Sequence, residues 1–518
     1  MDVKKLGMIG GGSMGGSMSL LFAEYDIEVH IFDPNTENVT KVLDTAKKAG
    51  LDSKIFHQKD YESLCKALPD DSPKVFVLSI PHGNVGDKTL DGLEPFLKKG
   101  DVILDASNER WTNTERRQER VKPKGIHWVG MGVSGGYQAA RHGPSISPGG
   151  STMEALDVVW PFLTKIAAKD KQGRPCTAKL GVGGCGHYVK MVHNGIEHGL
   201  MEVLCEVWGI MHSGLGWSFE EIGSVFERWN TDKDSPLRDN FLIEIGSEIC
   251  RRKDPDDSSK YVLSDIRDTV VQDVIEEEGT GTWTVEEAAR LHVSAPSIAT
   301  SHMIRVQSAY ATRREAAAKA FKDANGTVAE PQVLKPAPQT VDGKLKAARE
   351  LRDATYACFL LCYIQGMHII AAADAEHKWN LNYSDIMQLW RGGCIIQSDA
   401  IIDMFDGIWK GGDDVDKSNL LAHPTIAKEL SGTMGMLTEL VVNSFRMGSF
   451  VPALSASLEY LKYSISTNLP TSFQEAELDF FGHHMYDKKS EAASKPHLGK
   501  HHFEWRPARG IRDSEQKK

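Results

Sequence analysis

A chain of 518 residues is too long for one hydrophobic core, so two or more domains are expected. Its composition, 41% hydrophobic and 25% charged, is that of a globular enzyme, and a formal net charge of -11 argues against a broad basic surface for nucleic acid. With no charged-then-apolar leader and no apolar run of roughly 18 residues, a cytoplasmic enzyme without membrane partners is expected.

Residues 1–182 alternate strand-like and helix-like patterns. Apolar runs at Leu6–Ile9, Val29–Phe32, Val75–Ile80 and Val102–Leu104 are separated by amphipathic stretches, which reads as βαβ units of an α/β Rossmann-type domain. The first strand leads into KLGMIGGGSMG (Lys5–Gly15), with Gly10, Gly12 and Gly15 in GxGxxG spacing and Ser13 and Met14 where a helix opens. Such glycines permit a tight turn, close approach of a pyrophosphate, and close packing of helix on strand. The second strand ends in Asp33, placed to bond the adenosine ribose hydroxyls, and no basic residue follows until Lys41. NAD is therefore expected over NADP. Ile80 and Pro81, ending the third run, and Asn108, after the fourth, are assigned to the same crevice.

From about Gly186 the strand signal nearly vanishes. Tyr188–Met211 and Leu351–Ala373 read as long helices, and residues 183–470 as an all-helical domain. "NYSDIMQLW" (Asn382–Trp390) echoes "SFEEIGSVF" (Ser218–Phe226), which hints at a duplicated unit. Asp323–Gly343, rich in Pro and Gly, reads as an exposed loop. Residues 471–518 read as a tail, ordered only in part beyond Ser490. The eight cysteines (Cys65, Cys176, Cys185, Cys205, Cys250, Cys358, Cys362, Cys394) lack paired spacing and read as reduced, mostly buried thiols. His497, His501 and His502 read as solvated, and no metal is expected.

The segment GHYVKMVHNGIEHG (Gly186–Gly199) carries the chemistry. On a helix Lys190, His193, Asn194 and Glu197 fall at i, i+3, i+4 and i+7 and share one face. An ammonium, an imidazole, an amide and a carboxylate on one face, with Val189, Met191, Val192 and Ile196 around them, point to a partly buried functional site.

With these motifs the chain resembles the 6-phosphogluconate dehydrogenase family. The likeness extends through "DASNER" around Asn108, the Val133-Ser134-Gly135-Gly136 loop, "GTGTWT" (Gly279–Thr284), "RGGCII" (Arg391–Ile396) and "FFGHHMY" (Phe480–Tyr486). The resemblance implies oxidative decarboxylation. Lys190 would be the general base at the substrate C3 hydroxyl, and Glu197 the acid that protonates the enediol left by CO2 loss at what becomes C1 of the ketose. Asn108, Ser134, Gly135, Gly136, His193 and Asn194 would hold the sugar acid. It further implies a homodimer whose tail enters the partner's active site.

The positions that in the family hold the substrate's terminal phosphate depart from its pattern. The family tyrosine is His198 here, the lysine before GTG is Glu278, the arginine is kept as Arg305, the tail arginine is Leu478, and the tail histidine is His484. Two cations are lost and an anion gained, which disfavours a dianionic phosphate. The expectation is an aldonate lacking the 6-phosphate, such as gluconate. The alternative is ordinary 6-phosphogluconate dehydrogenase activity giving ribulose 5-phosphate.

Overall fold

The structure, a computed structural model, describes residues 2–275, 279–324, 326, 330, 340–412, 415–492 and 495–506. It divides into two compact units, Met1–Tyr460 and Leu461–Lys518.

The first unit begins with β1 (Lys5–Ile9), helix α1 (Ser13–Glu24), β2 (Glu28–Phe32), β3 (Ile55–His57), β4 (Val75–Leu78) and β5 (Val102–Asp105). The sheet continues with β6 (His127–Ser134), β7 (Ser145–Gly150) and β8 (Gly181–Val182). Strand order is β3-β2-β1-β4-β5-β6-β7-β8. All neighbours pair in parallel except β6 and β7, which run antiparallel with Gly130 opposite Gly149. The order reverses between β1 and β4, and a ligand crevice is expected at the carboxyl ends of strands there. Alternation builds both faces: Val75 and Val77 join the cluster with Leu21, Phe22 and Phe162, while Phe76 and Leu78 join Leu64, Leu93 and Trp128.

The expected α/β-then-helical architecture is present. β4 ends at Leu78 rather than Ile80, because the backbone turns after Ser79, whose N–H donates to the Ile9 carbonyl. β6, β7 and β8 are absent from the four sequence runs; β6 and β7 carry glycines that dilute the apolar signal.

Helix α2 (Cys185–Gly209) is the expected long helix, and it lies against β6 and β7. Glycines let it come that close. A Cβ on Gly132 would lie 2.3 Å from Lys190 Cβ, and one on Gly186 would lie 2.4 Å from both the Gly130 carbonyl oxygen and the Gly149 nitrogen. Helices α3 (Thr280–Arg290) and α4 (Pro296–Ser308) pack on α2, as does α5 (Val341–His377). Contrary to the sequence reading, α5 is long and apolar enough to cross a membrane, but 83% of its apolar window is buried inside the protein. It serves as the core helix of the helical region. The echo between the two helical segments has a structural counterpart. After α2, Ser218 caps Phe219–Thr231, and after α5, Asn382 caps Tyr383–Leu389. Helix Ala311–Asp323 and α5 bracket the expected Asp323–Gly343 loop, most of which lies outside the described residues. All eight cysteines are unpaired, and all but Cys205 are buried.

In the second unit, helix Thr471–Gly482 carries Asp479, whose carboxylate accepts from the backbone N–H of Met485 and Phe503 and from Trp505 Nε1, and lies 2.9 Å from His502 Nδ1. His501 pairs with Glu491, and His497 lies 2.7 Å from the Leu498 carbonyl oxygen. The tail histidines therefore have protein partners and are not simply solvated.

Replacing Gly186 by Ala should cost about 1–3 kcal/mol of unfolding free energy, because the new methyl meets backbone on three sides. Urea denaturation checks this.

Candidate active site

The turn after β1 places Gly10 at φ 101°, where a Cβ would lie 2.0 Å from the Ser79 carbonyl oxygen. A Cβ on Gly15 would lie 2.1 Å from the Gly10 carbonyl oxygen, so the first and third glycines of the motif are sterically required. Around Gly12 nothing lies within 4 Å of a Cβ position, which leaves open space at the N-terminus of α1. Asp33 is pinned there: its carboxylate accepts from Gly11 N–H at 2.7 Å, Asn35 N–H at 2.8 Å and Asn38 Nδ2 at 3.1 Å.

One cavity of about 460 Å³ collects most of the expected residues. Gly12, Ser13, Met14, Ile80, Pro81 and Asn108 line its nucleotide side, and Gly135, Gly136, Lys190, Asn194, Glu197, His198 and Arg305 the other. Gly10, Gly15 and Asp33 support the turn beside it. Ser134 and His193 are buried behind the wall rather than on it. For His193 the cause is rotational: its Nδ1 sits 3.0 Å from Asn194 Oδ1, and the ring faces Trp390. Glu278 lies outside the described residues. Leu478, half-buried, and His484, exposed, belong to the second unit.

The polar face of α2 is held by hydrogen bonds. Lys190 Nζ donates to Asn194 Oδ1 at 2.7 Å, and Asn194 Nδ2 donates to Thr280 Oγ1 at 2.7 Å. Thr284 Oγ1 donates to the Met191 carbonyl at 2.8 Å, tying α3 to α2. The GTG turn is thus a clamp on the lysine helix. Gly135, at φ 98°, comes so near Gly393 that a Cβ would lie 2.3 Å from its carbonyl oxygen, so the glycine loop and the RGGC segment interlock.

At the far end of the cavity, Arg305 Nε donates to Asp273 Oδ2 at 2.5 Å. His302 stands 3.9 Å from the other Asp273 oxygen, and the His198 ring lies 5.6 Å from the His302 ring. Burial, with the charge of Arg305 beside it, pushes the His198 imidazole well below its ordinary range, and burial also lowers His302. Thr280, Asp273 and His302 are not singled out by sequence spacing, because their significance depends on contacts with residues about 75 to 105 positions away.

A family model for the NAD binding domain of 6-phosphogluconate dehydrogenase matches residues 5–181, and one for the C-terminal domain matches residues 186–505. The chain belongs to the 6-phosphogluconate dehydrogenase family. It is 41% identical over 96% of its length to the whole of a decarboxylating 6-phosphogluconate dehydrogenase of Emericella nidulans. It is 34% identical to a decarboxylating 6-phosphogluconate dehydrogenase of Schizosaccharomyces pombe, over 95% of this chain and 94% of that one. A solved Plasmodium falciparum 6-phosphogluconate dehydrogenase, described in apo form and with NADP+ and 6-phosphogluconate, superposes with a TM-score of 0.82 at 29% identity, covering 94% of this chain and 98% of that one. The chain is accordingly an NAD(P)-dependent oxidoreductase of the decarboxylating 6-phosphogluconate dehydrogenase family.

Two outcomes follow from the buried polar groups of α2. Thr280→Val leaves the Asn194 amide without its partner and should lower stability by about 1–3 kcal/mol while weakening turnover, as read by denaturation and initial rates. Burial, with Lys190 nearby, holds the His193 imidazole well below its ordinary range, and burial also lowers His187. The unfolded chain therefore binds these protons first, near pH 6.5. Stability should be full above that pH and fall as acid is added, by about 1.36 kcal/mol per pH unit for each histidine. His193→Gln should flatten the slope of unfolding free energy against pH.

Proposed function

We propose that the chain oxidises the C3 hydroxyl of a six-carbon sugar acid and releases its carboxyl group as CO2, with 6-phosphogluconate the substrate that the names of its relatives favour. The observation that carries the reading is one cavity lined by the dinucleotide turn, Asn108, the Gly135–Gly136 loop and the Lys190–Asn194–Glu197 face.

Lys190, buried beside Asn194, is the base that takes the C3 hydroxyl proton. The bound dinucleotide supplies the hydride acceptor. The resulting ketone β to the carboxylate receives the electron pair as CO2 leaves, and Glu197 returns a proton to the former C2 of the acid, which becomes C1 of the ketose. Asn108 and the Gly135–Gly136 loop hold the carboxylate and hydroxyl groups.

The residues present fit a dinucleotide: open space above Gly12, an uncapped helix N-terminus, and a carboxylate at Asp33. The carboxylate supports NAD over NADP, because a 2′-phosphate would meet it directly. A homodimer with the tail, including His484 and Leu478, contributed to the partner's site is part of the same reading, as is a cytoplasmic location.

A second reading, an aldonate without the 6-phosphate, is favoured by one observation. Arg305 is already engaged by Asp273, and His198 is held neutral beside it.

Lys190→Met should keep dinucleotide binding and lose about 10²–10⁴-fold in turnover. Initial rates with 6-phosphogluconate and gluconate, each with NAD and NADP, decide the rest. NAD should be preferred by at least about tenfold in kcat/KM, and Asp33→Ser should erase that preference. A strong preference for gluconate would replace the first substrate reading with the second, and no CO2 from either would overturn both.

A further inference from the structure

Three polar atoms converge beside the far end of the cavity: His198 Nδ1, His302 Nδ1 and Asp273 Oδ1. One ligand atom from each of the three residues lies within 4.8 Å of the others, and His302 Nδ1 stands 3.9 Å from Asp273 Oδ1. Among the described residues none of the three named atoms has a hydrogen-bond partner, although each is buried with less than 1 Å² of accessible surface. The side chains of His302 and Asp273 are 4% and 1% exposed, and His198 is 5% exposed. Buried polar atoms without partners are costly, and here three of them belong to neighbouring side chains of ligating type.

The tautomers sharpen this. His302 Nε2 lies 3.2 Å from Thr282 Oγ1. When that nitrogen carries the proton and donates to the hydroxyl, Nδ1 is left as a lone pair facing the Asp273 carboxylate at 3.9 Å. Two acceptors facing each other in a dry site repel unless something positive lies between them. A divalent cation between them accepts both lone pairs, together with that of His198 Nδ1 in the tautomer that carries its proton on Nε2.

We infer that His198 Nδ1, His302 Nδ1 and Asp273 Oδ1 form a binding site for a borderline divalent cation of the zinc class. Two imidazoles and one carboxylate suit such an ion and disfavour magnesium, which prefers oxygen ligands. Three protein ligands also leave an open coordination position, as in catalytic zinc sites. Ligands held at about 2.1 Å around a tetrahedral ion stand about 3.4 Å apart, so closing the site needs each pair to approach by up to about 1.4 Å. The surroundings match a ligand shell. Thr282 orients His302, and Arg305 binds the second oxygen of Asp273, leaving the first to the ion. Glu202, four residues beyond His198, lies within electrostatic reach of Arg305, so the positive charge there faces two carboxylates. Gly281 keeps the space clear: a Cβ on it would lie 2.6 Å from His198 Nδ1 and 2.9 Å from His302 Nδ1.

His198 also lines the cavity, eight residues and roughly 12 Å along α2 from Lys190. The open position of the ion would take an oxygen from the end of the substrate remote from the reacting carbons; this part rests on the proposed function.

The test uses the full-length protein stripped with a chelator and then given Zn2+ or Co2+. Metal analysis after dialysis should find one ion per chain, and the Co2+ form should show visible d–d absorption. His302→Ala and Asp273→Asn should each abolish both signals while dinucleotide binding is kept. Should His302→Ala fail to fold, His302→Gln preserves the bulk and serves in its place. In turnover assays, chelation should raise KM for the sugar acid about tenfold with little change in kcat, the pattern expected when binding alone is lost. A wild-type protein that retains no more ion than the folded variants, or that gives no d–d bands, overturns the site. Ion binding lost in the variants upholds the site even if no sugar acid is turned over, in which case the proposed function alone fails.

Discussion

The close approach of helix α2 to strands β6 and β7 is the constraint on which the rest depends. Ordinary side chains on both partners would hold the helix farther from the sheet and draw Lys190 back from the dinucleotide crevice. Glycine on both partners removes the obstacle. Gly149 on β7 and Gly186 on the helix put backbone against backbone, with Cβ positions that would clash at 2.4–2.6 Å, and Gly132 on β6 admits the Lys190 side chain, whose Cβ would lie 2.3 Å from one added there. The lysine helix is therefore fixed against the same sheet that carries the nucleotide turn. Catalysis that moves a hydride between two bound molecules needs this rigidity, because small misplacements of reacting atoms are costly.

The second support is polar. Asn194 is shared: its amide oxygen accepts from Lys190 and its amide nitrogen donates to Thr280. A helix face that presents a lysine into a buried cavity needs such partners, since an isolated buried ammonium would be strongly disfavoured. Thr280 and Thr284 bring α3 into the arrangement, and the interlock of Gly135 with Gly393 brings in the segment after α5. Parts from four distant stretches of chain thus converge on one helix.

What could be read from the sequence follows from how local each signal is. The GxGxxG turn, Asp33 and the Lys190–Glu197 face are set by spacings of a few residues, and all but the supporting members meet in one cavity. His193 shows the limit of such reading. It shares a helical face with Lys190 by spacing, yet it is fully buried behind Asn194, because a face some 100° wide has a wall side and a cavity side. Strands β6 and β7 escape because their glycines, required by α2, erase the apolar pattern that marks a strand. The His198–Asp273–His302 group is invisible for a different reason: its members are joined only by the packing of α4 and the segment before α3 against α2.

The electrostatics of the cavity's far end bear directly on the substrate's tail. Arg305 is the arginine that lines the cavity, and it is engaged by Asp273, so a dianionic phosphate bound there would either share Arg305 with a carboxylate or displace it. Breaking a buried ion pair costs about 3–5 kcal/mol when one partner is left uncompensated. A neutral tail would avoid that cost, which is the one argument for the second substrate reading proposed above. An ion held by Asp273 Oδ1 changes the balance. The carboxylate then ceases to be a competitor for the phosphate and becomes a ligand of the charge that attracts it. On the proposed site, a phosphorylated tail is then compatible with an Arg305 already engaged by Asp273, because the positive charge is carried by a ligand of the protein instead of by its side chains.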